Sequence, residues 1–259
     1  MPFVDTKDLR MHYELDGPAD ATTLVLSNSL GTHLSLWDPQ MPVFSKSFRV
    51  LRYDSRGHGQ TSATSGEYSI ELLAHDVIQL LDALKLGRVH FCGLSIGGMT
   101  GMWLGANAPD RLRKLVLCNT APQIGTAQNW NARIRAVREG GTQCVAETVV
   151  ERWFTPEFRA DNSGVVAKTK HMIETTNSDG YVGSSAAVRD FDFWAKVGTI
   201  HAPTLVIAGT HDSSVPPADA QKLAHQITGA RYGELNAAHI SNIEDASRFT
   251  AEVNAFLNA

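Results

Sequence analysis

Ser95 stands in the pentapeptide Gly93-Leu94-Ser95-Ile96-Gly97, between the apolar run Val89 to Cys92 and a stretch of helical character, Met99 to Ala106. A serine with glycine two places before and two after, at a strand-to-helix turn, has the pattern of a nucleophile elbow. In so tight a turn, side chains at 93 and 97 would collide with neighbouring backbone, and glycine removes the collision. The hydroxyl is pushed out at the sheet edge. It sits at the start of a helix, where free N–H groups and the dipole favour negative charge. Such a pentapeptide arises by chance in a chain of this length with odds of roughly one in ten, so its context must carry the reading.

A serine hydroxyl is a weak nucleophile at neutral pH and needs a base, which in turn needs an orienting acid. After an elbow of this kind the acid and then the histidine follow in chain order. The acid that fits is Asp212, in Gly209-Thr210-His211-Asp212 directly after the apolar run Leu205 to Ala208. Its structural alternative is a turn-capping aspartate. The histidine that fits is His239, in Asn236-Ala237-Ala238-His239, whose alternative is a structural loop histidine. Among the ten histidines, His225 falls in a helical stretch, His201 precedes a strand, and His211 neighbours the acid. A developing oxyanion needs two preorganised donors. The N–H of Ile96 is one, and the N–H of Leu30, in the run Asn28-Ser29-Leu30-Gly31, is the expected second.

The elements that must hold these residues read as an α/β domain. Leu24–Ser27, Val50–Tyr53, Val89–Cys92, Lys114–Leu117 and Thr204–Ala208 are short apolar runs typical of buried parallel strands. Met11–Leu15 alternates like an antiparallel strand, and Arg231–Leu235 reads as the last one. A helix is expected from Ser69 to Leu86, capped by Ser69 and ended by Gly87. Strands alternating with helices imply a mostly parallel, doubly wound sheet. The alternation breaks between about 121 and 196, where only helical patterns occur. The expected organisation is a core of residues 1–121 and 197–259 with an inserted helical cap, 122–196.

Composition narrows the classes. The chain has 259 residues, 43% hydrophobic and 19% charged, with net charge −4, ordinary for a globular protein. Nothing in it points to nucleic acid or to an anionic membrane, and no apolar run approaches a membrane span. The N-terminus lacks the basic and apolar regions of a signal peptide. Three cysteines, two of them in buried-strand runs, fit a reduced, cytoplasmic protein. No Cys/His spacing suits zinc and no phosphate-binding glycine motif is present, so no metal and no cofactor are expected.

The elbow, Asp54-Ser55-Arg56-Gly57-His58-Gly59, Gly209-Thr210-His211-Asp212 and Ala238-His239 together resemble the α/β-hydrolase superfamily over nearly the full length. Within that fold His58 is expected to be structural. Many members carry His-Gly at the oxyanion loop, where this chain has Asn28-Ser29-Leu30-Gly31 followed by Trp37. That run, with Asp54 to Gly59 and Gly93 to Gly98, is similar to the 3-oxoadipate enol-lactonases of the β-ketoadipate pathway. The resemblance implies hydrolysis of 3-oxoadipate enol-lactone to 3-oxoadipate, in bacterial catabolism of aromatic compounds, without metal or organic cofactor. Two other activities use the same triad, ester hydrolysis and carbon–carbon bond hydrolysis. A reading of another class is a receptor that holds a small ligand without turnover. A dehalogenase is disfavoured, because that chemistry uses an aspartate where Ser95 stands.

A lactone of this kind carries a carboxylate, so a cation near the site would help hold it. In the helical pattern from Asn129, the residues Trp130, Ile134 and Val137 form an apolar stripe with Arg133 inside it, while Arg135 and Arg138 lie on the flank. An arginine on a buried face needs an anionic partner. That partner is substrate or a cap carboxylate, unless the side chain snorkels to solvent. Trp130 and Trp153 are candidate pocket walls or, alternatively, cap core.

Overall fold

The computed structural model describes residues 2–259. Eight strands form one sheet in the order β1-β2-β4-β3-β5-β6-β7-β8. They are β1 (Phe3–Asp5), β2 (Arg10–Asp16), β3 (Thr23–Ser27), β4 (Arg49–Tyr53), β5 (Val89–Leu94), β6 (Leu112–Cys118), β7 (Thr204–Gly209) and β8 (Arg231–Leu235). β1 and β2 are antiparallel to their neighbours, and from β4 to β8 every pairing is parallel. The inner strands β3, β5 and β7 are buried along their whole length. This is why they read as continuous apolar runs rather than alternating ones. The expected strands are therefore present, β8 with the expected bounds and the others longer by one to three residues, and β1 is a strand beyond those expected.

The helices are α1 (Met41–Ser47), α2 (Ile70–Ala83), α3 (Ile96–Asn107), α4 (Ala127–Gly140), α5 (Gln143–Trp153), α6 (Pro156–Asp161), α7 (Ser163–Glu174), α8 (Ser178–Asp190), α9 (Pro217–Gln226), α10 (Ser241–Glu244) and α11 (Ala246–Asn258). Five of them, α4 to α8, lie between β6 and β7, in the stretch read as an insert. Ser69 caps α2 as expected, accepting the Leu72 N–H at 3.1 Å. Gly87 does not end it. Lys85 takes the left-handed position, φ 55°, and the Leu86 N–H closes back on Leu81 O at 2.8 Å. That 6→1 bond completes the helix end two residues earlier, so the glycine is not needed there.

α3 begins directly after Ser95 and is packed against β5 and β6. It fits closely because its inner face is glycine: a Cβ at Gly101 would meet Phe91 and Leu115 side chains at 3.0–3.1 Å. No helix among the described residues is long and apolar enough to cross a membrane.

His90 is buried on β5 with the Phe48 ring edge-on at 5.8 Å. Burial, and then the nearby charges of Lys114 and Arg113, push its pKa from 6.5 down to about 4. A histidine kept neutral in the fold binds its proton first in the unfolded chain. Stability is therefore full above 6.5 and drains as pH falls through the window from 6.5 to about 4. His90→Leu should flatten the decline of Tm between those two pH values relative to the parent chain. A calorimetric pH series on both proteins checks this, and parallel curves would refute it.

Candidate active site

Ser95 lies between the last residue of β5 and the first of α3 with φ 56° and ψ −116°. A non-glycine residue is rarely found there and is held only when its surroundings over-determine it. Those surroundings are specific. A Cβ at Gly93 would lie 2.2 Å from Gly97 O, and one at Gly97 would lie 2.4 Å from Ser27 O on β3. Both glycines of the pentapeptide are thus demanded by close backbone approach. From the other side the end of β6 grips the turn: Ser95 donates its N–H to Cys118 O at 2.9 Å, and the Thr120 hydroxyl donates to Ser95 O at 2.8 Å.

The loop after β3 is fixed by Asn28. Its amide donates to Tyr53 O at 2.7 Å and accepts the Trp37 indole N–H at 2.9 Å. That pairing accounts for an Asn at this loop with Trp37 nine residues on. Gly31 follows in a left-handed turn, φ 78°. No protein acceptor among the described residues takes the Leu30 N–H. Ile96, opening α3, has no helical acceptor for its N–H either. Leu30 lines the cavity that contains Ser95, and with Ile96 it also lines a smaller neighbouring pocket.

Asp212 follows β7 and is almost fully buried. Its Oδ1 accepts the Ser214 and Val215 N–H groups at 2.8 and 2.9 Å. Its Oδ2 meets His239 Nδ1 at 2.8 Å and accepts the Asn119 amide at 3.1 Å. The turn-capping and histidine-orienting uses of this aspartate are both realised, one on each oxygen. Burial alone would raise its pKa. The His239 charge and hydrogen bond, with the Val215 and Asn119 donors, outweigh burial and hold it below the ordinary carboxylate value. With Asp212 ionised, Nδ1 must be the donor, which leaves His239 Nε2 as an acceptor. His239 is buried against Trp153, ring centres 6.1 Å apart.

His58 is buried away from this cavity, its Nδ1 against Arg56 O at 3.0 Å, and burial lowers its pKa. His211 turns to Asn236 instead of the acid, at 3.0 Å, and His225 is exposed on α9. Among the described residues no group of three or more His, Cys, Asp or Glu could hold a metal ion.

Ser95, His239 and Leu30 open on a cavity of about 180 Å³ roofed by α4, α5 and α8. Arg133, Trp130 and Trp153 all line it. Trp130 is half-buried, anchored by its indole N–H on Ile124 O at 2.7 Å, and the Arg133 guanidinium lies 4.7 Å from its ring centre. Arg152, which is not among the residues expected from the sequence, also lines the cavity. It sits three residues beyond Val149 and beside Trp153 on α5. The i,i+3 spacing from Val149 is the signal in the chain that puts it on that helix face. Burial, and then the charge of Arg133, hold the Arg152 pKa below its ordinary value. Neither arginine has a carboxylate within ion-pair distance among the described residues, whereas Arg138, on the flank of α4, reaches Glu67.

The α/β-hydrolase fold family model matches residues 22–246, and the chain belongs to that family. It is 40% identical to 3-oxoadipate enol-lactonase 2 of Acinetobacter baylyi, over 98% of this chain and 97% of that protein. To 3-oxoadipate enol-lactonase 1 of the same organism it is 34% identical, over 95% and 92%. The crystal structure of the enol-lactonase from Burkholderia xenovorans LB400 superposes with a TM-score of 0.98 at 44% identity, covering both chains completely.

The elbow geometry makes a direct test of the glycines. Gly97→Ala should destabilise the fold by about 1–3 kcal/mol or more, since its Cβ has nowhere to go. Gly87→Ala, where nothing lies within 4 Å, should leave the denaturation midpoint almost unchanged. Equal midpoints for the two variants would contradict the close approach of α3 to β3.

Proposed function

We propose that the protein hydrolyses 3-oxoadipate enol-lactone to 3-oxoadipate through an acyl-enzyme on Ser95. The observation that carries the reading is the cavity itself. It joins the strained serine and an Asp212-held histidine to two guanidinium groups that have no carboxylate within ion-pair distance among the described residues. The 34–40% identity to enol-lactonases supports the same substrate class.

In this mechanism Ser95 Oγ attacks the lactone carbonyl while His239 Nε2 takes its proton. The oxyanion is held by the Leu30 and Ile96 N–H groups. The ring C–O bond breaks, and His239 returns the proton to the enol oxygen, which remains tethered in the acyl-enzyme. Water then attacks the ester with His239 again as base, freeing Ser95 and a carboxylic acid. The released enol becomes the ketone. Asp212 holds the Nδ1–H tautomer and stabilises the imidazolium in both halves. Arg133 and Arg152 face the substrate carboxylate, with Trp130 and Trp153 as apolar walls. The three free cysteines suit a reducing compartment, and the same reading places the reaction in cytoplasmic breakdown of aromatic compounds.

Purified protein should consume the enol-lactone, followed as loss of ultraviolet absorbance, with kcat/KM above that for simple aryl esters. Preference for the aryl esters would favour an esterase, and tight retention without turnover a receptor. Ser95→Ala should fold normally and lose activity on the order of 10³-fold or more. Near-parental rates would remove Ser95 as nucleophile.

Arg133→Met separates substrate anchoring from cap structure. A lost charge-assisted hydrogen bond is worth roughly 1.5–3 kcal/mol, so kcat/KM for the carboxylate-bearing lactone should fall about 10- to 100-fold. A neutral ester should be spared and Tm should hold, because methionine keeps the length and apolar bulk. Equal losses on both substrates, or none, would rule out the anchor.

A further inference from the structure

Asn119 is the residue immediately after β6. Its backbone is left-handed, φ 47°, a conformation that asparagine tolerates better than most side chains. Both polar atoms of its side chain are paired around the site. The amide nitrogen donates one hydrogen to Asp212 Oδ2 at 3.1 Å and the other to Ala238 O, the carbonyl just before His239, at 3.1 Å. The amide oxygen accepts the Ser241 hydroxyl at 2.6 Å, which sets which way round the amide lies. The backbone N–H reaches Ile207 O on β7 at 2.8 Å. Room for this is made by Gly209, where a Cβ would lie 2.1 Å from Ala238 O and 3.0 Å from Asn119 Nδ2. The flanking residues Cys118 and Thr120 hold Ser95.

We infer that Asn119 is a positioning residue of the hydrolytic site: its amide locks the Asp212 carboxylate and the His239 loop into one geometry and draws part of the carboxylate charge away from the imidazole. The inference rests on the reading of Ser95, Asp212 and His239 as the hydrolytic machinery. Only a primary amide of this length can give two hydrogens to a carboxylate and a carbonyl while accepting a third. Aspartate has the same shape but would set acceptors against acceptors.

The charged and titratable groups around this pair come from several elements. Glu244 of α10 accepts the Ala238 N–H at 2.7 Å. Arg133 of α4 and Arg152 of α5 line the cavity from above. His211, beside the acid, faces Asn236. Asn119 is the one side chain besides His239 that hydrogen-bonds to Asp212 among the described residues.

The test is the pH dependence of kcat/KM on an activated aryl ester for the parent, Asn119→Asp, Asn119→Gly, Ser241→Ala and Ser95→Ala. Adding negative charge beside Asp212, or removing the donor from it, favours the protonated imidazole. The acidic limb should therefore move to higher pH, by about one unit for Asn119→Asp and less for Asn119→Gly. The plateau should fall at least about 10-fold in Asn119→Asp, because donors to the orienting acid are lost. Ser241→Ala leaves Asn119 and its backbone in place, and should shift the limb in the same direction. It decides the matter if both Asn119 variants misfold. A limb that stays put in every folded variant, with or without a fall in the plateau, would overturn the inference and leave Asn119 a structural residue only. An active Ser95→Ala would instead overturn the underlying reading of the site.

Discussion

A serine held at φ 56° between β5 and α3 is the constraint around which the molecule is arranged. The conformation is unfavourable in isolation, by an order of 1–3 kcal/mol for residues in such regions. It persists because two strands of the sheet and the following helix press on it. β3 approaches through Ser27, to within a distance that admits no Cβ at Gly97. The end of β6 and the residues after it bind both backbone polar groups of Ser95, through Cys118 O and the Thr120 hydroxyl. α3 lies on glycine close to β5 and β6. With this packing below it, Ser95 opens on the cavity.

The electrostatics divide between the two layers. Beneath the cavity, the carboxylate of Asp212 is met by two backbone N–H groups, the Asn119 amide and His239. A buried charge with four partners is stable as an anion and is fixed in direction. Above the cavity, α4 and α5 supply two guanidinium groups with no anionic side chain within ion-pair distance among the described residues. The floor is electrostatically complete without a ligand, and the roof is not. In the proposed function that imbalance is what selects a carboxylate-bearing lactone over a neutral ester of similar size.

Elsewhere the polar interior is structural. Asp54 accepts the Leu34 and Gln60 N–H groups and meets the His12 ring. Arg56 forms a two-armed pair with Asp76 on α2. These contacts brace the loop from Asp54 to Gly59, and they explain why His58, within the same loop, is turned inward.

Local chemistry alone made much of this legible. Buried parallel strands need unbroken apolar runs, so β3, β5 and β7 declared themselves. The serine turn declared itself too, through the glycine pattern: Gly93 is required by contact with Gly97 within the turn, although Gly97 is required by Ser27 on β3. The order serine, aspartate, histidine and the Arg133 position on a helical stripe are also properties of the linear chain. Tertiary structure decided the rest. Lys85 rather than Gly87 ends α2, because the 6→1 bond to Leu81 O forms before the glycine is reached. Arg152 enters the cavity only because α5 crosses above Ser95, and no spacing in the chain relates those two residues. Asn119 looks like an ordinary turn asparagine after a strand. Its partners Asp212, Ala238 and Ser241 lie 93 to 122 residues away. Residue types and short-range periodicity encode elements and the turn between two of them. Which side chains converge across the sheet edge depends on how distant loops pack, and only the folded chain holds that information.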